Sequence, residues 1–580
     1  MERRRIHGML FVLVLIAGCG RASGDLPASC PPGAFSSAVN PLVGQQTGQQ
    51  ISAEGKSTLE AYLSAAQFPD LQYPQFPNFR TEAKEFYESS GDSLPWIMER
   101  RPSAQARALI QIFQQAENEG LNPTDYDGSR WAGRLLALDS GRAPESELIR
   151  FDLAVTISTM RYVSDLHRGR VNPREFHFDL DIENKSIDLS EFLRGKLVNA
   201  VDVAGVMRSV EPPFPTYRQT VEALQTYMKM ASEDNSDPLP VPTAPVKPGN
   251  LYISLPRLKQ LLSLLGDSPA GAVVTSDSTY TGALVIAVKH FQKRHGLEPS
   301  GVLDAQTFKE LNTPLGQRVL QLKLTLERWR WLPHEFAEPP IVVNIPEFRV
   351  YAANGEYLPA FSMKVVVGRS YKHQTPVFAT EMKSVIFRPY WNVPLDIQRK
   401  ELLPELRKAP DYLRKHDYEI IDANGAIVGE ANIGAEMMEK LFSGKLAIRQ
   451  RPGPKNSLGL IKFDLPNKYD VYMHDTPATQ LFSRSRRDFS HGCIRLEDPV
   501  ALAKWVLRDQ AGWDTEHILS AMNGDKTFRV NLSKPVPVLI LYGTATVTTS
   551  REVHFFDDIY GLDAVLEQAL AKGYPYTTDD

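Results

Sequence analysis

At 580 residues the chain exceeds what one hydrophobic core supports, so several domains are expected. Its 65 basic and 69 acidic residues leave a net charge of -4, which excludes the basic field that nucleic-acid binding requires, and 42% hydrophobic residues fits a soluble globular protein. The three cysteines, Cys19, Cys30 and Cys493, give no disulfide framework.

In chain order, Arg3, Arg4 and Arg5 precede the apolar run "GMLFVLVLIAG", which is shorter than the roughly 20 residues a spanning helix needs. Residues 1–19 therefore read as an export signal. Ile16-Ala17-Gly18-Cys19 resembles the bacterial lipobox. That resemblance implies acylation of Cys19 and a lipid anchor in a membrane, and Gly20 after the cysteine implies the outer membrane of a Gram-negative cell, facing the periplasm. An ordinary cut near Ala22 to Gly24, or an uncleaved anchor, is the alternative. Residues 20–56, rich in small and polar residues, read as a flexible tether.

From residue 57 to 231 the spacing of apolar residues is mostly helical, as in "ARALIQIFQQAENEGL", "IRFDLAVTISTMRYVSDLHRG" and "TYRQTVEALQTYMKM", with stops at Gly120 and Gly169. This stretch is expected to be a helical scaffold domain. Residues 232–250 are proline-rich and read as a linker. In residues 251–313, Leu258, Leu261, Leu262 and Leu265 share one helical face, Leu284, Ala287, Val288 and Phe291 share another, and Asp304 can cap a third helix. The segment "GALVIAVKHFQKRHGLEPSGVLDAQTFKELN" resembles the small peptidoglycan-binding domain of bacterial wall enzymes, which implies a three-helix module, with or without retained binding.

Residues 314–338 are expected to connect by a helix to a β-rich domain over 339–545. There "PPIVVNIPEFRVYAANGEYLPAFSMKVVVG" is strand-like, with Asn354-Gly355 placed where a tight hairpin needs positive φ, and "SVIFRP", "YDVYMHD" and "PVPVLILYGTATV" are further strands. Helical spacing and then a turn in "LDIQRKELLPELRKAPDYLRKHDYEIIDANG" mark 395–450 as an inserted capping region, and 546–580 is a C-terminal extension. The fold class expected is multidomain α+β.

Alternation in "YDVYMHD" puts His474 and Tyr472 on one face and Val471 and Met473 on the other. If residues 475–489 fold back, Cys493 reaches that imidazole, and a thiol beside a base is an activated nucleophile. The backbone amides of His491, Gly492 and Cys493 can form an oxyanion hole. The bland alternatives are a buried core thiol and two unrelated polar residues on neighbouring strands. Tyr390 and Trp391 either line the pocket or pack in a core, and Arg484, Arg486 and Arg487 either attract acidic peptides or are solvated. His334-Glu335 lacks the second histidine of a zinc motif, Glu338 standing in its place, so no metal or cofactor is expected.

With fifteen residues between His474 and Ser490, "HDTPATQLFSRSRRDFSHGCIR" resembles the histidine to Ser/Thr-His-Gly-Cys signature of the YkuD-type L,D-transpeptidases. "VVVGRSYKHQTPVFAT", "FRPYWNVP" and "RPGPKNSLGLIKF" extend the likeness, and the longer architecture is similar to the large YcbB-like members. The resemblance implies Cys493 as nucleophile, His474 as proton acceptor and donor, and the Asp475 carbonyl as the group orienting the imidazole. It further implies that His491 and Gly492 line the oxyanion site, Ser490 supports the turn, and Arg495 either holds the loop or meets a substrate carboxylate. The implied activity is 3-3 cross-linking of peptidoglycan, from a tetrapeptide donor to the amine of a diamino acid on a second stem peptide, with carbapenems acylating the cysteine. Water or an envelope protein is the alternative acceptor, and a non-catalytic wall-binding lipoprotein is the alternative of another class.

Overall fold

The computed structural model describes residues 48–576, apart from residues 92, 177, 181–184, 235, 269–277, 371–372, 410 and 429–432. The expected export signal and Cys19 lie outside the described residues. Among the described residues, no helix is long and apolar enough to cross a membrane.

The N-terminal helices pack around α1 (Glu145–Arg168), in which every residue from Phe151 to Leu166 is buried. That span carries Asp152, Thr156, Ser158, Thr159, Arg161, Ser164 and Asp165 among its apolar residues, and buried polar groups of this kind call for internal partners. Tyr87 and Trp96 supply such partners, as described below. The scaffold continues into α2 (Pro215–Glu233), which lies against the C-terminal core rather than the α1 core.

Helices α3 (Leu255–Leu264), α4 (Ala283–Arg294) and α5 (Ala305–Leu311) enclose a separate small core that includes Leu258, Leu262, Val288, Phe291 and Phe308. The Asp304 side chain accepts from the Thr307 N–H at 2.8 Å, so α5 starts where the sequence provides a cap. This module leans on the hairpin of strands Ala545–Val547 and Val553–Phe555: Arg294 donates to the Val553 carbonyl at 3.2 Å, and His290 lies 3.0 Å from the Glu552 carboxylate.

Helix α6 (Leu315–Arg330) ties the parts together, its Glu327 carboxylate accepting from the Arg170 side chain at 3.0 Å and from the Val171 N–H at 3.3 Å. Beyond it lies a sheet of ten strands. These are β1 (Phe178–Asp179), β2 (Ile341–Asn344), β3 (Arg349–Ala353), β4 (Pro359–Gly368), β5 (Val377–Phe387), β6 (Ile461–Asp464), β7 (Met473–His474), β8 (Asp488–Ser490), β9 (Ile494–Leu496) and β10 (Phe528–Leu541). Their order is β6-β7-β9-β4-β3-β2-β10-β5-β1, with β8 beside β4. Because β6 also pairs with β5, the path closes on itself as a barrel.

Alternation along the strands fills the interior with Ile341, Val343, Val365, Val385, Ile461, Phe463, Met473, Ile494 and Leu496, all buried. Each such side chain contributes about 1.5–3 kcal/mol relative to an exposed one. The residues between them, Lys462, His474 and Arg495, point outward.

Two expectations are corrected here. The β3–β4 turn is longer than a two-residue hairpin, and Tyr357, not Gly355, takes the positive φ (57°) while Asn354 Oδ1 accepts from the Glu356 and Leu358 N–H groups at 2.9 Å. The stretch 395–450 is not simply helical. Its strands Tyr418–Ile421, Ile427–Val428 and Ala447–Gln450 join Trp391–Asn392 in a four-stranded sheet with its own core of Leu402, Leu403, Leu406, Ile420, Leu441 and Ile448.

Candidate active site

Strands β7 and β9 run parallel, with His474 opposite Arg495 and Met473 opposite Ile494, while β6 runs antiparallel to β7 with Lys462 opposite His474. Lys462, His474 and Arg495 thus form one row across three strands. One rung back along the same face lie Tyr472 and Cys493, joined through the backbone by the Ile494 N–H donating to the Tyr472 carbonyl at 3.0 Å. The two core residues of the row below, Met473 and Ile494, fix which face the others must take.

The loop from Ser490 to Cys493 is held from several sides. The Ser490 hydroxyl donates to the Cys493 carbonyl at 2.6 Å and accepts from the Gly492 N–H at 3.1 Å. Thr375 donates to the Gly492 carbonyl at 2.7 Å and accepts from the Gly368 N–H at 2.9 Å. Tyr560, from the C-terminal extension, donates to the Gly368 carbonyl at 2.6 Å. Gly492 has φ of +115°, a conformation that side-chain-bearing residues rarely adopt, so glycine is required at that position. At Gly368 a Cβ would lie 1.9 Å from the His373 carbonyl oxygen, which explains the glycine that ends β4.

His474 is buried, and its Nδ1 lies 2.5 Å from the Asp475 carbonyl oxygen, an arrangement that leaves Nε2 as the nitrogen free to accept a proton. Burial first, and the Arg495 guanidinium second, hold the imidazole down to about 3, so it is neutral at physiological pH. Cys493 is half-buried, and burial pushes its thiol up, against the opposing pull of Tyr472, Lys462 and Arg495. The thiol points to the Asp470 carbonyl at 3.7 Å, and among the described residues no hydrogen bond joins it to His474 in this resting arrangement. The parallel pairing sets the two residues on a diagonal, a distance that catalytic groups commonly close on binding substrate.

The Gly492 N–H is engaged by Ser490, which removes it from the set of oxyanion donors expected from sequence and leaves the Cys493 and His491 amides as the candidates. His491 turns away from the thiol. Its Nε2 lies 2.5 Å from Glu401 in the capping insertion, and its ring sits 4.8 Å from that of His373.

Arg495 is half-buried, and among the described residues its Nε has no hydrogen-bond partner. Burial lowers its affinity for the proton, as it does for Lys462. Trp391 pairs with Gln450 in the capping sheet, whereas Tyr390 is 42% exposed and stacks on Arg449, 4.3 Å from the ring centre. Arg487 is neither solvated nor turned to the cleft: it is buried, donating to the Val365 carbonyl at 3.1 Å and the Phe348 carbonyl at 3.0 Å. Arg486 pairs with Asp488 at 2.7 Å.

Sequence reasoning missed Thr375, Tyr560, Lys462 and Glu401, which lie far from the cysteine motif along the chain and meet it only through barrel closure and the cap. The "GRSYKHQTP" segment after β4 was the one available signal for Thr375.

A thiol and a neutral imidazole thus lie on the outside of a β-barrel, under an inserted cap. Residues 338–538 match the family model of the L,D-transpeptidase catalytic domain (YkuD), residues 255–311 that of the "Putative peptidoglycan binding domain", and residues 81–224 that of the Scaffold domain. The chain therefore carries a YkuD-type L,D-transpeptidase catalytic domain together with a peptidoglycan-binding-type module and a helical scaffold. It is similar to a "Putative L,D-transpeptidase" of Haemophilus influenzae, 32% identical over 250 residues, 43% of this chain and 49% of that protein. The chain thus spans about half the length of the curated relative it matches. A solved L,D-transpeptidase structure from Xylanimonas cellulosilytica covers 53% of this chain and 100% of its own at 13% identity, with a TM-score of 0.16, too loose a superposition to bear on the fold.

Proposed function

We propose that this protein is a peptidoglycan L,D-transpeptidase that forms 3-3 cross-links in the cell wall through an acyl-enzyme on Cys493. The observation that carries the reading is the outward pair of Cys493 and His474, the imidazole neutral and its Nδ1 turned to the Asp475 carbonyl. In the first half-reaction the sulfur attacks the carbonyl of the third stem-peptide residue, and the thiol proton passes to His474 Nε2. The amides of Cys493 and His491 stabilise the tetrahedral oxyanion. Collapse breaks the peptide bond, and the terminal D-alanine leaves with the proton from His474. In the second half-reaction the side-chain amine of a diamino acid on another stem peptide attacks the thioester and loses its proton to His474, restoring the thiol.

The cation of Arg495 supplies a partner for a stem-peptide carboxylate, and Trp391 lines the approach under the cap. The peptidoglycan-binding-type module is the natural site for holding the polymer, and acylation of Cys19 would anchor the enzyme to the outer membrane with the site in the periplasm. Water as acceptor would give an L,D-carboxypeptidase, and the side chain of an envelope protein would give an anchoring enzyme.

The test is incubation of the protein with disaccharide-tetrapeptides, followed by mass spectrometry of dimers, tripeptides and the acyl-enzyme. Cross-linked dimers with a Cys493 adduct are expected, and both vanish in Cys493→Ala. Tripeptide without dimers assigns water as acceptor, and undiminished turnover by Cys493→Ala overturns the mechanism. Carbapenem added to the same assay is expected to acylate Cys493.

A further inference from the structure

We propose that Lys462 and Tyr472 tune the nucleophile, Lys462 as a fixed positive charge over the Tyr472 ring and Tyr472 as a hydrogen-bond donor to the sulfur, so that together they hold the Cys493 thiolate once His474 has taken its proton. The inference rests on Cys493 being the nucleophile and names two residues outside the cysteine motif.

The geometry comes from the barrel. Lys462 alternates outward from β6, between the buried Ile461 and Phe463, and stands opposite His474. Its ammonium lies 3.9 Å from the centre of the Tyr472 ring. Asp464, two residues on, is the nearest acid, but its carboxylate is committed elsewhere: it accepts from Arg529 at 2.7 Å and from Ser384 at 3.4 Å, and meets Lys462 only at 3.9 Å. The lysine charge is therefore left facing the cleft. A half-buried cation without a close counter-ion costs solvation, and it persists where a negative charge forms nearby during function.

Tyr472 lies on the same face as Cys493: the Ile494 N–H donates to the Tyr472 carbonyl at 3.0 Å, which holds the two residues side by side, and the Tyr472 ring sits 5.8 Å from that of His474. Burial raises the phenol, which therefore stays protonated beside a thiolate.

The charges around the sulfur are Lys462 and Asp464 from β6, Asp470 from the turn before β7, His474 from β7 and Arg495 from β9. Arg529 of β10 and Arg369 after β4 complete the surround. His474 is neutral, and Asp470 meets the thiol through its backbone carbonyl. Lys462 and Arg495 are the cations that lower the thiol, and Arg495 also disfavours protonation of His474. Arg495 thus acts on two groups, whereas neutralising Lys462 acts chiefly on the thiolate.

The test follows carbamidomethylation of Cys493 in the full-length protein by iodoacetamide from pH 6 to 11, with the modified peptide mapped by mass spectrometry. Lys462→Met, which keeps the stem and removes the charge, is expected to move the inflection up by about one pH unit. Lys462→Arg is expected to return it towards wild type, and Tyr472→Phe to move it up by about half a unit. Circular dichroism and thermal melting confirm that each variant is folded. An unmoved inflection in Lys462→Met overturns the proposal, as does the same shift in Lys462→Arg, which would mark a packing role. A change in KM alone would assign Lys462 to a substrate carboxylate and also overturn it. If Cys493 in the folded wild type reacts no faster than free cysteine at any pH, both this inference and the nucleophile assignment fail. If the alkylation shifts appear while no cross-link or tripeptide forms, the proposed reaction fails and the tuning stands.

Discussion

In the scaffold, Asp152 sits in the middle of α1 and accepts from the Tyr87 hydroxyl at 2.7 Å and the Trp96 N–H at 2.8 Å. On the catalytic face, Arg495 is half-buried, yet among the described residues its Nε meets no acceptor. Scaffold carboxylates repeat the first pattern, Asp165 accepting from Tyr126 at 2.8 Å and Asp125 from Tyr576 of the C-terminal extension. Burial pushes Asp152 up to about 8, Asp165 to about 7 and Asp125 to about 6. Burial moves bases the other way, on the catalytic face, where His474 falls to about 3 and Lys462 and Arg495 also fall, and at Lys185 beside the scaffold, which falls to about 7. A buried acid matched to tyrosines serves packing, because its partners are fixed within the fold. A half-buried base with no fixed counter-ion serves a charge that arrives with the reaction. If this distinction holds, substitutions on the catalytic face cost activity and those in the scaffold cost stability.

The sharpest break is His474→Ala. Removing the proton acceptor is expected to lower kcat/KM by about 10²–10⁴-fold, in line with general acid–base catalysis, without a comparable loss of stability. Steady-state cross-linking assays and urea denaturation measure the two effects separately. A collapse in stability equal to the collapse in activity would put His474 with the scaffold residues.

The candidate pair was legible because its information is local: the spacing from His474 to Ser490, the three-residue run to Cys493, and the period-two alternation through Met473. The helical scaffold and the three-helix module were legible for the same reason, since the α1 stripe and the Asp304 cap are short-range signals. What was not legible depends on chain closure. Phe178–Asp179, inside a stretch that reads as helical, pairs in parallel with Val377–Phe378 of β5, and nothing near it in sequence announces that partner. The capping sheet escaped notice because Tyr418–Ile421 and Ala447–Gln450 are four-residue strands between helices, too short to show a period. The engagement of the Gly492 N–H by Ser490 was likewise invisible, because the tripeptide permits several loop conformations and the bond selects one.

A smaller effect separates the two regions by pH. A carboxyl whose folded pKa is raised binds its proton in the native state while the unfolded chain, near 3.9, has lost it, so stability falls as pH rises from the unfolded value through the folded one. Asp152 and Asp165 therefore draw stability down up to about pH 7 to 8. The histidines act oppositely: with His474 and His334 held at about 3, stability falls as pH drops from about 6.5 towards 3. Between pH 6.5 and 8 Asp152 alone is expected to lower the unfolding free energy by about 1–2 kcal/mol, while Lys185, held down to about 7 by burial, works against it. Urea titrations at the two pH values measure it. Asp152→Asn, which keeps the shape and removes the titration, is expected to flatten the slope, and an unchanged slope in that variant would assign it elsewhere.

The smallest effect is expected where the cap meets the nucleophile loop. Glu401 reaches His491 at 2.5 Å, but the carboxylate side chain is 49% exposed and the imidazole 23% exposed, so water and salt compete for both. A pair of this kind is worth up to about 1 kcal/mol. Glu401→Gln keeps an acceptor within reach and removes the charge, so kcat/KM is expected to fall by no more than about fivefold, most at low ionic strength. Raising salt from about 50 to 500 mM should bring wild type down towards the variant while leaving the variant nearly level. A loss of a hundredfold or more would mean that His491 needs its counter-ion for the chemistry itself, and would place Glu401 among the groups that serve a charge arising during the reaction.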